Sequence, residues 1–121
     1  MLKITRRAAP VAARIRGVGG REQIRGKVHL YHTYGGTIIV AELYRISQDI
    51  EEDTDGKFGC GIRDSSGGTV SYVVLPSFLY RNGVGWNSCY AGNLFPEEMP
   101  GKEIVFWESR GNIIAAGRFA Q

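Results

Sequence analysis

The chain has 121 residues, 43% of them hydrophobic and 22% charged, with a formal net charge of +3 at pH 7. This length and composition are typical of one globular domain and exclude a low-complexity chain. No stretch approaches the roughly 20 consecutive apolar residues of a membrane-spanning helix, so a membrane protein is not expected. The 17 glycines are scattered and helical periodicity is almost absent, which predicts short strands joined by tight turns in a single domain at residues 10–121.

Positive charge is concentrated at the start of the chain. Residues 1–27 carry eight Lys or Arg and one acidic residue, whereas the remainder carries seven and eleven. Residues 1–9 are expected to form a flexible basic arm, and residues 10–17 alternate in the manner of an edge strand. Because basic stretches are usually solvated, a nucleic-acid patch is the less favoured interpretation.

The same stretch bears on localisation. It is rich in arginine and poor in acids, like an organelle transit peptide, but Pro10 and the alternating pattern after it argue against that interpretation. It lacks the apolar stretch of a secretion signal, which predicts a cytoplasmic protein. Cys60 and Cys89 are then expected to be reduced thiols without a disulfide.

A long β-hairpin is predicted next, from residues 25–33 and 37–47, which are rich in Val, Ile, Leu and Tyr. They flank Tyr34-Gly35-Gly36, where Gly-Gly is expected to supply the positive φ angles of a two-residue turn. Such a hairpin is not stable alone in water, so further strands must cover its apolar face.

The rest of the chain continues this pattern. The acidic stretch at residues 48–56 lacks the ligand spacing of a Ca²⁺-binding loop, so a solvated loop is expected. Residues 76–83 are expected to connect two strands, and Phe78, Leu79 and Tyr80 are expected to fill one end of a barrel. Residues 96–100 are expected to form one helical turn. The helix dipole at the start of this turn favours the acidic pair Glu97 and Glu98. The remaining predicted strands are residues 57–64, 69–75, 84–90, 102–107 and 112–119. Eight short strands predict an antiparallel sandwich or barrel.

Three stretches, in this order, resemble strands of the copper/zinc superoxide dismutases. Residues 58–64, FGCGIRD, resemble the family's FGFHIHE; residues 101–107, GKEIVFW, resemble GKxVVIH; and residues 114–119, IAAGRF, resemble LACGVI. The similarity covers most of residues 11–119 and includes features of bacterial members. It implies an all-β, eight-stranded antiparallel Greek-key barrel.

The metal-binding residues of that family are replaced here. The copper-binding histidines of the two longer motifs fall on Gly61, Arg63 and Trp107. The segment at residues 71–76 resembles the family's HAGDLP, whose zinc-binding His and Asp fall on Ser71 and Val74. The zinc loop is missing, the charged loop is reduced to residues 108–111, and the cysteine of the family's C-terminal motif falls on Ala116. The resemblance therefore implies a member without copper, zinc or another cofactor.

The residues offer no replacement site. His29 and His32 are three apart on a predicted strand, so they point to opposite faces and cannot bind one metal ion together. Cys60 alternates with Gly61, so if Gly61 and Arg63 face the copper-site position implied by the resemblance, the Cys60 thiol is expected to face the barrel interior as a small core residue, and Cys89 is interpreted likewise. The sequence shows no Ser/His/Asp or Cys/His grouping of the kind used in nucleophilic catalysis. If Gly61, Arg63 and Trp107 surround the position that copper occupies in the family, Arg63 is expected to pack within about 6 Å of the Trp107 ring. The alternative is that Arg63 is exposed and that Trp107 is not in contact with it.

The preferred function is a non-catalytic binding or structural module, with an unknown protein or small-molecule partner and with homodimerisation left open. The first alternative is a nucleic-acid-binding small β-barrel that stacks bases on Tyr31, Tyr34, Tyr44 and Trp86. Against it, such barrels usually have five strands, and these aromatic residues mostly fit core positions. The second alternative is a metal-dependent superoxide dismutase with non-standard ligands.

Overall fold

A computed structural model describes residues 10–46, 57–64, 70–108 and 111–120 of the chain. Its described part is all-β, with one turn of 3-10 helix at Pro96–Glu98. The strands are β1 (Val11–Gly17), β2 (Arg25–Thr33), β3 (Gly36–Tyr44), β4 (Lys57–Arg63), β5 (Val70–Arg81), β6 (Val84–Ala91), β7 (Glu103–Trp107) and β8 (Ile113–Arg118). The predicted all-β class and the predicted single helical turn are confirmed.

The strands form one antiparallel sheet that curls on itself. Neighbours pair in the order β1-β2-β3-β6-β5-β4-β7-β8, and β8 pairs back with β1. Strands that follow each other along the chain are neighbours, except that β3 leads to β4 and β6 leads to β7 across two intervening strands. The predicted edge position of the first strand is wrong, because curling of the sheet gives β1 a partner on each side.

The apolar core lies inside the curled sheet. Alternate residues of each strand point inward, as the period of two requires. The fully buried side chains include Leu30, Ile39, Leu43, Ile62 and Phe106, and each side chain of this kind contributes about 1.5–3 kcal/mol to folding by leaving water. With the interior filled, the described surfaces that can bind anything are on the outside.

The turn between β2 and β3 differs from the prediction by one residue. Tyr34 and Gly35 form the turn, because Thr33 already pairs with Gly36. Gly35 has φ +85°, and the Tyr90 hydroxyl donates a hydrogen bond to its carbonyl oxygen at 2.8 Å. Gly36 is extended, and it is needed for space: a Cβ there would lie 2.6 Å from the Tyr90 hydroxyl oxygen.

The predicted connection at residues 76–83 is wrong, since β5 continues through Pro76 to Arg81. Pairing between β4 and β5 shifts register around this proline, from Phe58 with Phe78 to Cys60 with Leu75. Proline is tolerated at such a bulge because its missing N–H removes no ladder hydrogen bond there. The turn is instead Asn82-Gly83, with φ angles of 56° and 79°, which match a type I′ hairpin turn.

Several predictions fall outside the described residues: the basic arm at residues 1–9, the acidic loop at residues 48–56, and the placement of the Phe78, Leu79 and Tyr80 side chains. Among the residues that the structure does describe, no helix has the length and apolar character needed to cross a membrane.

Candidate functional site

The three positions that the resemblance assigns to copper lie on the outer side of β4 and β7. Across this strand pair Gly59 lies opposite Trp107, Gly61 opposite Val105, and Arg63 opposite Glu103. The alternate residues point into the core, as the complete burial of Cys60 and Phe106 shows. The predicted inward orientation of Cys60 is confirmed, whereas Gly61, on the other side of β4, is also buried.

Arg63 forms an ion pair with Glu103. The Nε of Arg63 donates a hydrogen bond to Oε1 of Glu103 at 2.6 Å, and the two side chains are only 12% and 11% exposed. A charge-assisted hydrogen bond of this length, shielded from water, holds the guanidinium in place. Glu103 was not singled out from the sequence, because its role depends on which residue pairs with Arg63 across the sheet.

Trp107 covers the backbone of β4. A Cβ placed on Gly59 would lie 1.8 Å from Nε1 of Trp107, so the indole ring occupies the space that any side chain at this position would need. Along β4, Gly59 and Arg63 are four residues apart, a strand distance of about 13 Å. The expected stacking of Arg63 on the Trp107 ring stays a prediction; the contact recorded for Arg63 is with Glu103.

This outer face does not fit a copper or zinc ion. Glycine offers no side-chain donor, and a guanidinium is a permanent cation that repels a metal ion. Ser71 and Val74, the positions that correspond to zinc ligands, belong to β5, but their side chains lie outside the described part of the structure. Val74 has no donor atom in any conformation. The residue types at these positions therefore provide no ligand set for either metal.

Neither histidine takes over the ligand role. His29 lies on the outer side of β2 and stacks on Tyr31, with ring centroids 6.0 Å apart. His32 lies on the other side of the strand, where its Nδ1 is 3.8 Å from a carboxylate oxygen of Glu97. Within the described ranges, no group of three or more His, Cys, Asp or Glu residues is placed to hold a metal ion.

The cysteines are poorly suited to act as nucleophiles. Neither forms a disulfide bond, and Cys60 is fully buried in the core, whereas Cys89 packs against the core from a partly buried position. Burial raises the pKa of the Cys60 thiol well above its ordinary value, and burial also raises the pKa of Cys89. Since the thiolate is the reactive form, neither residue is activated at neutral pH.

A second surface covers the outer side of β1, β2, β3 and β6, and we call it the aromatic-basic face. The pairing register aligns its residues in rows across the sheet. One row is Arg14, Lys27, Glu42 and Trp86; a second is Ala12, His29, Val40 and Ser88; a third is Tyr31, Ile38 and Tyr90. Basic side chains lie toward β1 and aromatic side chains toward β6.

The aromatic residues of this surface point to solvent. Trp86 is 58% exposed, Tyr90 50%, and Tyr34, at the β2–β3 turn, 91%. Tyr31 and Tyr44 are partly buried on the same outer side. The expectation that Tyr31, Tyr34, Tyr44 and Trp86 mostly fit core positions is therefore wrong: the opposite side of each strand supplies the core residues, such as Leu30 and Ile39.

A basic groove of about 440 Å³ borders the face where β1 meets β2. Arg14, Lys27 and Arg118 line it together with His29, and no carboxylate does so among the described residues. Nearby, Glu42 lies 3.8 Å from the Lys27 ammonium and accepts a hydrogen bond from the Tyr44 hydroxyl, which raises the pKa of Tyr44. The groove is thus suited to an anionic group.

Comparison with known proteins adds no family to this picture. No family model matches the chain, and no curated protein matches it. Function is therefore inferred from the two outer surfaces: the β4–β7 face with its ion pair, and the aromatic-basic face.

Proposed function

We propose that the protein is a non-catalytic relative of the copper/zinc superoxide dismutases that serves as a binding or structural module. The strand order supports a Greek-key barrel. Strands β4, β5 and β6 follow one another as neighbours, β3 lies beside β6, and β7 lies beside β4; these are two overlapping arrangements of three consecutive strands plus a returning fourth.

The ion pair between Arg63 and Glu103 is the observation that carries the proposal. Superoxide dismutation needs a bound metal that alternates between oxidation states. At two of the positions that the resemblance assigns to copper, the chain has Arg63 and Trp107. Arg63 pairs with the Glu103 carboxylate at 2.6 Å, and the indole ring of Trp107 lies over Gly59. A guanidinium is a hydrogen-bond donor without an acceptor lone pair, so Arg63 offers no ligand atom to a metal ion.

Metal content and superoxide decay test this proposal. We expect protein purified without chelators to contain no stoichiometric copper or zinc by elemental analysis, and superoxide to decay in its presence no faster than in buffer. A triple variant, Gly61→His with Arg63→His and Trp107→His, serves as the matched control, with folding checked by circular dichroism. If the positions are equivalent to the family's copper site, this variant acquires copper that the unmodified protein does not bind.

Any one of three results would overturn the proposal. Stoichiometric copper or zinc in the unmodified protein would show that other residues serve as ligands. Accelerated superoxide decay would establish the alternative function, a metal-dependent dismutase with non-standard ligands. A folded triple variant that binds no copper would refute the proposed equivalence of the three positions and, with it, the relationship.

A further inference from the structure

We infer that the aromatic-basic face binds single-stranded nucleic acid, with phosphates at the basic groove and bases on the aromatic residues of β6. The inference deepens the proposed function and rests on it, because it names the partner of a non-catalytic binding module.

The aromatic half of the face is suited to stacking. Trp86 and Tyr90 lie on the same side of β6, four residues and thus about 13 Å apart. Ile38 and Val40 of β3 lie beside β6 and are partly buried, and the small exposed residue Ser88 lies between the two rings, so no bulky side chain on this side of β6 separates them. Every base has a π face, so rings presented in this way bind bases with little regard to sequence.

The basic half lies at the correct distance from those rings. Arg14, Lys27 and Trp86 occupy one row across the sheet. Lys27 and Trp86 are two strand spacings apart, which is about 10 Å. A nucleic-acid strand lying over β2 and β3 can therefore contact a basic side chain and an aromatic ring at the same time.

Charge favours a polyanion over other occupants of this face. The groove is lined by Arg14, Lys27 and Arg118, with no carboxylate among its described lining residues. Glu42, the acidic residue in the rows of the aromatic-basic face, forms an ion pair with Lys27 and accepts a hydrogen bond from the Tyr44 hydroxyl. A nucleic-acid strand brings phosphates to Arg14, Lys27 and Arg118 and releases its counterions on binding, an electrostatic gain that an uncharged apolar partner does not provide.

Binding of a fluorescein-labelled oligo(dT), followed by anisotropy between about 50 and 200 mM salt, tests the inference. We expect the affinity to fall with salt, with a slope of log K against log salt of about −0.7 for each phosphate contacted. Trp86→Ala should weaken binding about tenfold and leave the slope unchanged, because it removes stacking only. Arg14→Gln combined with Lys27→Gln should make the slope less negative. Lys102→Gln, a control that removes one positive charge from a lysine that pairs with Asp64 and does not line the groove, should change neither quantity.

Tryptophan emission gives an independent measurement, because the chain contains two tryptophans, Trp86 and Trp107. In Trp107→Phe only Trp86 emits, and added oligo(dT) should quench it by stacking. In Trp86→Phe the emission of Trp107 should stay unchanged. Quenching of both variants to the same extent would contradict stacking on Trp86.

Three results would overturn the inference. The first is no binding of oligo(dT) at the lowest salt concentration, and the second is binding that a folded Trp86→Ala variant does not weaken. The third is binding of anionic vesicles, or of a second copy of the chain, without binding of oligo(dT). Elemental analysis of the same preparation separates the two proposals. A metal-free protein that ignores oligo(dT) refutes the inference alone, whereas stoichiometric metal refutes the proposed function whatever the oligonucleotide does.

Discussion

Gly59 and Trp107 illustrate how one missing side chain determines the shape of a surface. Because Gly59 has no Cβ, the indole ring of Trp107 lies directly on the β4 backbone. A ring that packs against backbone in this way excludes water from the strand pair and covers the surface at one end of the β4–β7 face. The glycine is therefore required for close approach and not for an unusual backbone angle.

We expect Gly59→Ala to lower the free energy of unfolding by about 1–3 kcal/mol, the cost of inserting a methyl group into a filled space. Urea denaturation measures this change. Gly92→Ala is the matched control, because a Cβ there would lie 3.5 Å from the nearest atom, an ordinary contact; it should change stability by less than about 0.5 kcal/mol. Equal effects of the two substitutions would contradict the steric account.

At the scale of elements, the β4–β7 pair carries two ion pairs in different environments. Arg63 and Glu103 are largely buried, whereas Lys102 and Asp64 are joined at 3.1 Å with the carboxylate 75% exposed. Burial makes the first pair sensitive to loss of one partner, since the remaining charge is left without compensation. Water compensates the members of the second pair after such a loss.

A double-mutant cycle tests this difference between the pairs. Arg63→Met alone should cost about 3 kcal/mol, because it removes the guanidinium that compensates the largely buried carboxylate of Glu103. Arg63→Met combined with Glu103→Leu should recover most of that loss, since no buried charge remains. Lys102→Met, the exposed control on the same strand pair, should cost about 1 kcal/mol or less. If Arg63→Met costs no more than Lys102→Met in urea denaturation, the pair is not buried in the way the structure indicates.

For the whole molecule, the curled sheet separates the two outer surfaces. Strands β1, β2, β3 and β6 are consecutive in the sheet and carry the aromatic-basic face, whereas β4 and β7 lie together elsewhere in the same sheet. The filled core leaves the inside unavailable to a ligand. A substitution on one outer surface is therefore expected to leave the other intact. Metal binding at the β4–β7 face and nucleic-acid binding at the aromatic-basic face can thus be tested separately.

The stability of the whole barrel should also depend on alkaline pH through Cys60. Burial raises the pKa of this thiol well above the ordinary value of 9.0, so the folded protein keeps the proton that the unfolded chain releases. The unfolding free energy is therefore unaffected by this group below about pH 9 and falls above it, by about 1.4 kcal/mol per pH unit until the folded pKa is reached.

Urea denaturation at pH 8 and at pH 10 measures this dependence. The decrease between the two pH values should be smaller in Cys60→Ala than in the unmodified protein, whereas Cys89→Ala, which removes a less buried thiol, should change the decrease less. An identical decrease in the unmodified protein and in Cys60→Ala would show that other groups account for it.

The sequence by itself determined what depends on neighbours along the chain. Alternating residues and β-branched content predicted the all-β class and the bounds of β2 as the structure has them. The inward position of the Cys60 thiol was predicted from alternation only together with the resemblance, which assigned Gly61 and Arg63 to the other side of the strand. The Asn82-Gly83 turn also had a local signal, since Asn-Gly favours the type I′ hairpin turn. Placing the turn at these two residues, in place of the predicted connection at residues 76–83, would have extended β5 toward Arg81.

Only the tertiary structure decided which residues meet across the sheet. Arg63 and Glu103 are 40 positions apart, and their pairing depends on the register between β4 and β7. The same holds for Trp86, because alternation along β6 separates two sets of residues without saying which set faces the core. A shift of one residue in register exchanges the two sides of a strand, so both the ion pair and the exposed aromatic surface follow from contacts that no local pattern contains.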